Sequence, residues 1–214
     1  MSPAGPGEAP NRSDSRSTSD IEALYRARID SSRTRFTEAD VVFMNDMIHH
    51  HAQAIEMAQL APSHGASESI RTLAARIINA QEDEIATMQR WLRTRGQPVP
   101  ELHRMDDGRV MVHVPGMQHG ANHDMMHMPG MLSAEQLASL RAARGPAFDR
   151  LFLTLMIQHH TGAVAMVRDL FATDGAGQDE DVFRFASDVQ VDQRTEVARM
   201  ELMLRALPEA DGSQ

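Results

Sequence analysis

FMNDMIHHHAQAIEMAQLA, residues 43–61, decides the fold, because its pattern returns in FDRLFLTLMIQHHTGAVAMV, residues 148–167. Phe43, Met47, His50, Ala54 and Met57 recur as Phe152, Met156, His159, Ala163 and Met166, each 109 positions on. Steps of four, three, four and three residues set each group of five on one helical face. The flanks agree as well, Met47-Ile48 with Met156-Ile157 and His50-His51 with His159-His160. The same spacing of 109 pairs Gln81 with Gln190, Asp83 with Asp192, Glu84 with Gln193 and Leu73 with Val182. One offset held over that distance marks a duplicated unit. Imidazole and thioether repeated on an inward face read first as a metal site.

Around the two stripes the chain divides into helices. Residues 20–35 carry a weak helical signal. Thr37-Glu38-Ala39-Asp40 has the form of a capping box, and it opens a long helix that stops before Pro62 and Gly65. A second helix runs over 67–95 with Ile70, Leu73, Ile77, Met88 and Leu92 inward, and Gly96 and Pro98 end it. Residues 97–132 read as irregular. Ser133-Ala134-Glu135-Gln136 is another capping box, starting a short helix to Arg144, and Pro146 fits the first turn of the helix that carries the second stripe to about 172. A loop at 174–177 leads into a last helix over 178–206, stopped by Pro208. Two antiparallel hairpins, each with an apolar face to cover, predict an all-α, up-down four-helix bundle in which residues 38–95 superpose on 147–204. The domain plan is a tail at 1–36, one bundle domain at 37–207 (hairpin 37–96, connecting loop 97–132, short helix and hairpin 133–207) and a tail at 208–214.

Composition narrows the function. The chain has 214 residues, 42% of them hydrophobic, enough for one well-buried core. The net charge is -9 and the 21 basic residues are all Arg, with no basic run, which argues against a nucleic-acid partner or an anionic membrane surface. Absence of Cys removes disulfides, zinc fingers, iron–sulfur clusters and thiol nucleophiles together. No apolar run is long enough to span a bilayer. Residues 1–20 are polar and rich in Pro, Gly and Ser, with no hydrophobic segment of an export signal. Either the protein is cytoplasmic, or a signal lies upstream and has been removed.

Met47 can meet His50 or His51 on one helical turn. A soft cation such as Cu(I), or its mimic Ag(I), accepts Met and His in low coordination numbers, whereas hard ions want carboxylates and water. The bland alternative is that His50 and His159 are core histidines satisfied by hydrogen bonds. Doubled pairs with Met in register favour the metal. His49 faces Gln158 in the repeat and reads as surface or auxiliary. Gln81, Glu84 and Gln190 on the partner helices are candidates to accept a hydrogen bond from the second nitrogen of a ligand His, while Asp83 and Asp192 read as facing water.

The connecting loop is the second constellation. It holds His103, Met105, Met111, His113, Met117, His119, His123, Met125, Met126, His127, Met128 and Met131. Exposed Met in a loop gains nothing from packing and risks oxidation, so Met117, His119, His123, Met125, His127 and Met128 are taken as loop metal ligands, with Cu(II) an option at the His-rich part. The expectation is that this loop loads and unloads the bundle.

At FMNDMIHHHAQAIEMAQLA, and again at MPGMLSAEQL followed by FDRLFLTLMIQHHTGAVAMV, the chain resembles the ferritin-like proteins catalogued as domain of unknown function 305, over about residues 37–206. That family includes bacterial periplasmic copper-binding proteins. The resemblance implies a helical bundle, an extracytoplasmic location (periplasmic or secreted) and binding of Cu(I) or Ag(I) for copper tolerance. Its motif positions fall on Met47, His50, His51 and Met57, and on Met156, His159, His160 and Met166.

Three functions compete. The first is a non-enzymatic copper-binding protein that sequesters the ion or passes it to a copper-exporting or copper-accepting protein. The second is a ferritin-like di-iron oxidoreductase, which needs Glu-x-x-His on two helices. No Glu-x-x-His occurs in the chain; Asp46 has the spacing to His49, but Leu155 replaces Asp46 in the second copy. The third is a helical interaction module with His and Met as core filler. Ligand histidines must be neutral to bind and protonate near pH 6.5 when unperturbed, so metal affinity is expected to fall in mild acid. Binding that stays flat between about pH 8 and about pH 5 would, on this reading, mean ligation by Met alone.

Overall fold

The computed structural model describes residues 18–33, 36–105, 108–115 and 128–208, with only the backbone of residues 28–33. The expected loop ligands Met117, His119, His123, Met125 and His127 lie outside the described residues. Within them the chain forms α1 (Thr18–Arg33), α2 (Glu38–Ala58), α3 (Glu68–Thr94), β1 (Glu101–Arg104), β2 (Val110–His113), α4 (Ala134–Ala142), α5 (Gly145–Ala172) and α6 (Glu180–Ala206), with a 3-10 turn at Ala61–Ser63. The fold is all-α in character. No helix among the described residues is long and apolar enough to cross a membrane.

Helices α2, α3 and α6 each start at a side-chain cap that also ties two parts of the fold together, whereas α5 starts without one, on Pro146 in its first turn. Thr37 accepts the Asp40 N–H, and the Asp40 carboxylate accepts the Thr37 N–H at 2.8 Å. A cap of this kind is worth about 1 kcal/mol. The second Asp40 oxygen accepts Gly177 N–H at 2.7 Å, fixing the start of α2 to the loop after α5. Ser67 caps α3, and its own N–H donates to Asp149 of α5 at 3.1 Å. Asp179 caps α6 while accepting Trp91 Nε1–H at 3.1 Å and Arg95 at 2.6 Å from α3. The Ser133–Gln136 capping box opens α4.

Helix α2 packs on α3, α5 on α6, and the two pairs meet chiefly through α2 against α5. The core falls into two apolar clusters. One holds Met44, Met47, Met88, Leu92, Met166, Leu170, Val182 and Phe185. The other holds Met57, Ile70, Leu73, Ile77, Phe148, Phe152, Met156 and Met200.

Residues 97–132 are not wholly irregular, which corrects the reading from sequence. β1 and β2 pair antiparallel, with His103 opposite Met111 and Leu102 opposite Val112. Leu102, Val110 and Val112 pack against the first cluster. Val110 N–H donates to Glu56 of α2 at 3.0 Å, and Glu56 also takes Arg141 at 2.8 Å. Four-residue strands are too short for a period-two pattern to declare itself.

Candidate metal centre

All four long helices cross from one apolar cluster to the other, and each does so through polar residues. On α2 these are His50 and His51, on α5 His159 and His160, on α3 Gln81 and Glu84, and on α6 Gln193 and Glu196. The four histidines are at most 1% exposed, and both glutamines are buried. An imidazole layer thus lies across the middle of the core. The His50 and His159 rings lie with centroids 3.8 Å apart, tilted by 37°, and the His160 ring lies 6.1 Å from that of His159.

The hydrogen bonds fix which ring nitrogens remain open. The Pro129 carbonyl can only accept, so the His50 Nε2–H donates to it at 3.0 Å. His51 Nε2–H donates to Glu84 at 2.5 Å and His160 Nε2–H to Glu196 at 2.6 Å. The Nδ1 atoms of His50, His51 and His160 and both nitrogens of His159 are buried with no hydrogen-bond partner. Native cores pair nearly all such atoms, and each orphan costs about 1–3 kcal/mol. His64 makes the contrast. It is also buried, yet its Nδ1 meets the Ser63 hydroxyl at 2.9 Å and its Nε2–H donates to the Arg141 carbonyl at 3.0 Å. A core histidine in this protein has both nitrogens satisfied; those of the layer do not.

Burial, with the neighbouring His51 and His160 adding to it, pushes the His50 pKa down to about 3. His159 is held well below the usual value by burial first and then by His50, His160 and His51. His49, half-buried beside the layer, is lowered to about 4 by burial. Neutral rings with bare Nδ1 atoms are the ligand form of histidine.

The methionines of the stripe do not gather at one point. Met47 and Met166 belong to the first cluster, Met57 and Met156 to the second, so the imidazole layer has a thioether pair on either side. Among the described residues no group of three or more His, Asp or Glu side chains forms a ready-made ligand set. Met128 is half-buried against the first cluster.

The partner helices correct the sequence alignment. His51 and Glu84 are 33 residues apart, but His160 and Glu196 are 36 apart, so the second hairpin carries three more residues between its histidines and its carboxylate. The match to Gln81 is therefore Gln193 rather than Gln190, and the match to Glu84 is Glu196 rather than Gln193. Gln190 is only half-buried and lies outside the layer; Asp83 and Asp192 are exposed. Glu196 was missed. Its signal was present: Gln81-x-x-Glu84-Ile85-Ala86-x-Met88 recurs as Gln193-x-x-Glu196-Val197-Ala198-x-Met200. On the solvent side the Asp192 pKa is raised by burial and then by Glu84, Asp188 and Glu196. A cleft of about 690 Å³ between α3 and α6 leads past Asp192 to Glu84, with Met44 among its lining residues.

The turn at Met128-Pro129-Gly130-Met131 closes the layer over His50. Gly130 has φ +80, and Gly162 of α5 lies so near that a Cβ there would sit 2.1 Å from the Pro129 oxygen. Only glycine at both positions lets the turn touch the helix. Gly162→Ala is expected to push the Pro129 carbonyl off His50 and to lower stability by about 1–3 kcal/mol, as overpacking does. Thermal melting and the His50 ring ¹⁵N shifts check this, and an unshifted His50 resonance would refute it.

The chain is thus a helical protein with a buried imidazole layer between two apolar clusters. Residues 40–204 match the family described as Domain of unknown function (DUF305), and the chain belongs to that family. The DUF305 fragment of Deinococcus radiodurans is similar at 31% identity, covering 80% of this chain and 99% of that one, with a TM-score of 0.63. A DUF305 protein of Streptomyces coelicolor, provisionally described as secreted, is similar at 26% identity, covering 82% and 96%, with a TM-score of 0.61. CopM in its Cu(I)-bound form is similar at 26% identity, covering 78% and 95%, with a TM-score of 0.54. CopM also has Cu(II)-bound and Ag-bound structures. No curated protein matches the chain.

Proposed function

We propose that this chain is a copper-binding protein that holds Cu(I), with Ag(I) as its mimic, and sequesters or passes on the ion without chemical turnover. The observation that carries the reading is the set of buried, unpartnered imidazole nitrogens on His50, His51, His159 and His160. The proposed ligands are those imidazoles with Met47, Met57, Met156 and Met166, drawn from the thioether pairs on either side. A soft monovalent ion needs few ligands and accepts this mixture. Iron is disfavoured because the carboxylates at the layer, Glu84 and Glu196, are engaged with His51 and His160. The copper-bound forms of CopM support the same choice. The arrangement is a ferritin-like up-down four-helix bundle made of two duplicated hairpins, working in an extracytoplasmic compartment. Met117, His119, His123, Met125, His127 and Met128 load and unload it, with Cu(II) held at the loop histidines, and a copper-exporting or copper-accepting protein is the partner.

Anaerobic titration with Cu(I) against a competing chelator tests this, with Zn(II) and Fe(II) as controls. Preference for Zn(II) or Fe(II), or no stoichiometric uptake, would defeat the proposal. Glu84 and Glu196 orient their histidines, and removing such partners typically weakens a metal site about 10–100-fold. The double variant Glu84→Ala, Glu196→Ala is expected to lose that much Cu(I) affinity. Gln at both positions should restore part of it, since the amide oxygen still accepts Nε2–H.

A further inference from the structure

We propose that the outward face of the β1–β2 hairpin is a second, surface copper site, built from His103, His113, Met111 and Met105. This rests on the copper reading of the chain, but on different residues. In the hairpin alternate side chains point to opposite faces. Leu102, Val110 and Val112 turn inward onto the core, leaving Glu101, His103, Met111 and His113 on the other face. Met105 continues the same alternation just beyond β1, where Met105 N–H still bonds the Arg109 carbonyl at 2.9 Å. An outward hairpin face gains nothing from thioethers, yet Met105 is 41% and Met111 49% exposed.

The spacing suits one ion. Metal–nitrogen bonds of about 2 Å put the centroids of two imidazoles on one ion roughly 5–6.5 Å apart. The His103 and His113 rings are 6.5 Å apart across the strands. Met111 stands directly opposite His103, so its thioether starts beside the first imidazole. Glu101, 3.9 Å from His103 Nε2, adds negative charge beside a cation. Two imidazoles with thioethers select a soft copper ion over Mg(II), Ca(II) or Mn(II). Exposure makes the site open to exchange, unlike the buried layer. The hairpin that carries the site is tied to α2, the helix that bears His50 and His51, through the Val110–Glu56 hydrogen bond.

The test uses the full chain with ¹³C-methyl methionine, titrated with Ag(I) as a redox-inert probe and then with Cu(I) under anaerobic conditions. Met105 and Met111 methyl signals are assigned by M105L and M111L. The expected result is that both move, in faster exchange than Met47 and Met156. H103N/H113N should abolish their movement, remove the weaker class of bound Cu(I) and leave the melting temperature unchanged. They should still move in His50→Leu/His159→Leu, which lacks the buried imidazole pair. Movement of Met47 and Met156 without Met105 and Met111 overturns the surface site and leaves the copper reading standing. Movement of the hairpin methyls alone overturns the buried centre instead. Full Cu(I) capacity in H103N/H113N also overturns the surface site.

Discussion

Replacing His159 by Leu is expected to raise the melting temperature of the metal-free protein while removing most of its copper affinity. His159 is 1% exposed, and neither ring nitrogen has a hydrogen-bond partner. Each orphaned polar atom costs about 1–3 kcal/mol of stability, and an apolar side chain of similar size removes that cost. A net gain of about 1–2 kcal/mol corresponds to roughly 2–8 °C in a domain of this size. Affinity should fall at least about tenfold, which is about 1.4 kcal/mol, because the proposed site loses one of its imidazoles. The control is His64→Leu, where both ring nitrogens are bonded, to Ser63 and to the Arg141 carbonyl. There the carbonyl is orphaned, stability should drop by about 1–3 kcal/mol, and copper affinity should stay unchanged. Scanning calorimetry in chelator and Cu(I) competition read both. A destabilised His159→Leu chain that keeps its affinity would make His159 core filler and put the copper elsewhere, whereas absence of copper uptake by both bundle and loop would make the protein an interaction module.

The difference between His159 and His64 was invisible in the sequence, because hydrogen-bond satisfaction depends on partners distant in the chain. The Pro129 carbonyl reaches His50 across 79 residues, and Arg141 reaches His64 across 77. The stripes on α2 and α5 were legible because each pattern lies within one uninterrupted helix, where spacing alone sets the face. Burial of Phe43, Met47, His50, Ala54 and Met57 with their five counterparts follows that periodicity residue by residue. The caps at Thr37 and Ser133 were legible for the same local reason. Carrying the offset of α2 and α5 across the hairpin tips was the error. Helix α5 runs five residues further past its histidines than α2 does, while the loop after it is two residues shorter, and the net three residues move the α6 partner from Gln193 to Glu196. The β1–β2 hairpin escaped because its strands are four residues long and sit in a tract dominated by Met, His and Gly. The imidazoles are thus legible in the sequence, but of the three acceptors that orient them, the Pro129 carbonyl, Glu84 and Glu196, only Glu84 is.

Acid should unfold the metal-free protein before it protonates His50 and His159 in the fold. An unfolded chain takes up protons on histidine near pH 6.5, whereas in the fold His50 stays neutral down to about 3 and His159 is likewise held well below the usual value. Between those limits the unfolded state binds more protons, so stability is complete above about pH 6.5 and is lost as the pH falls toward the folded values. Each buried histidine contributes a slope of about 1.4 kcal/mol per pH unit in that window. Two of them remove on the order of 5 kcal/mol over two units, comparable with the whole stability of many domains. Urea midpoints measured in chelator at about pH 7 and about pH 5 should therefore fall steeply, and more gently in His50→Leu/His159→Leu. Equal slopes in the two chains would show that other groups govern the acid response. The depressed pKa also corrects the expectation that imidazole ligation must fade near pH 6.5. While the protein remains folded, the His50 and His159 nitrogens stay unprotonated, so their share of Cu(I) affinity should be level as the pH falls from about 8 toward about 5 and be lost only with the fold. Flat binding in that range therefore no longer separates histidine ligation from ligation by Met alone. Loss of affinity at constant fold in His50→Leu/His159→Leu does. Bound copper favours the folded state and should move the acid transition to lower pH. On the proposed copper reading, acid frees the ion by opening the core, not by protonating His50 or His159.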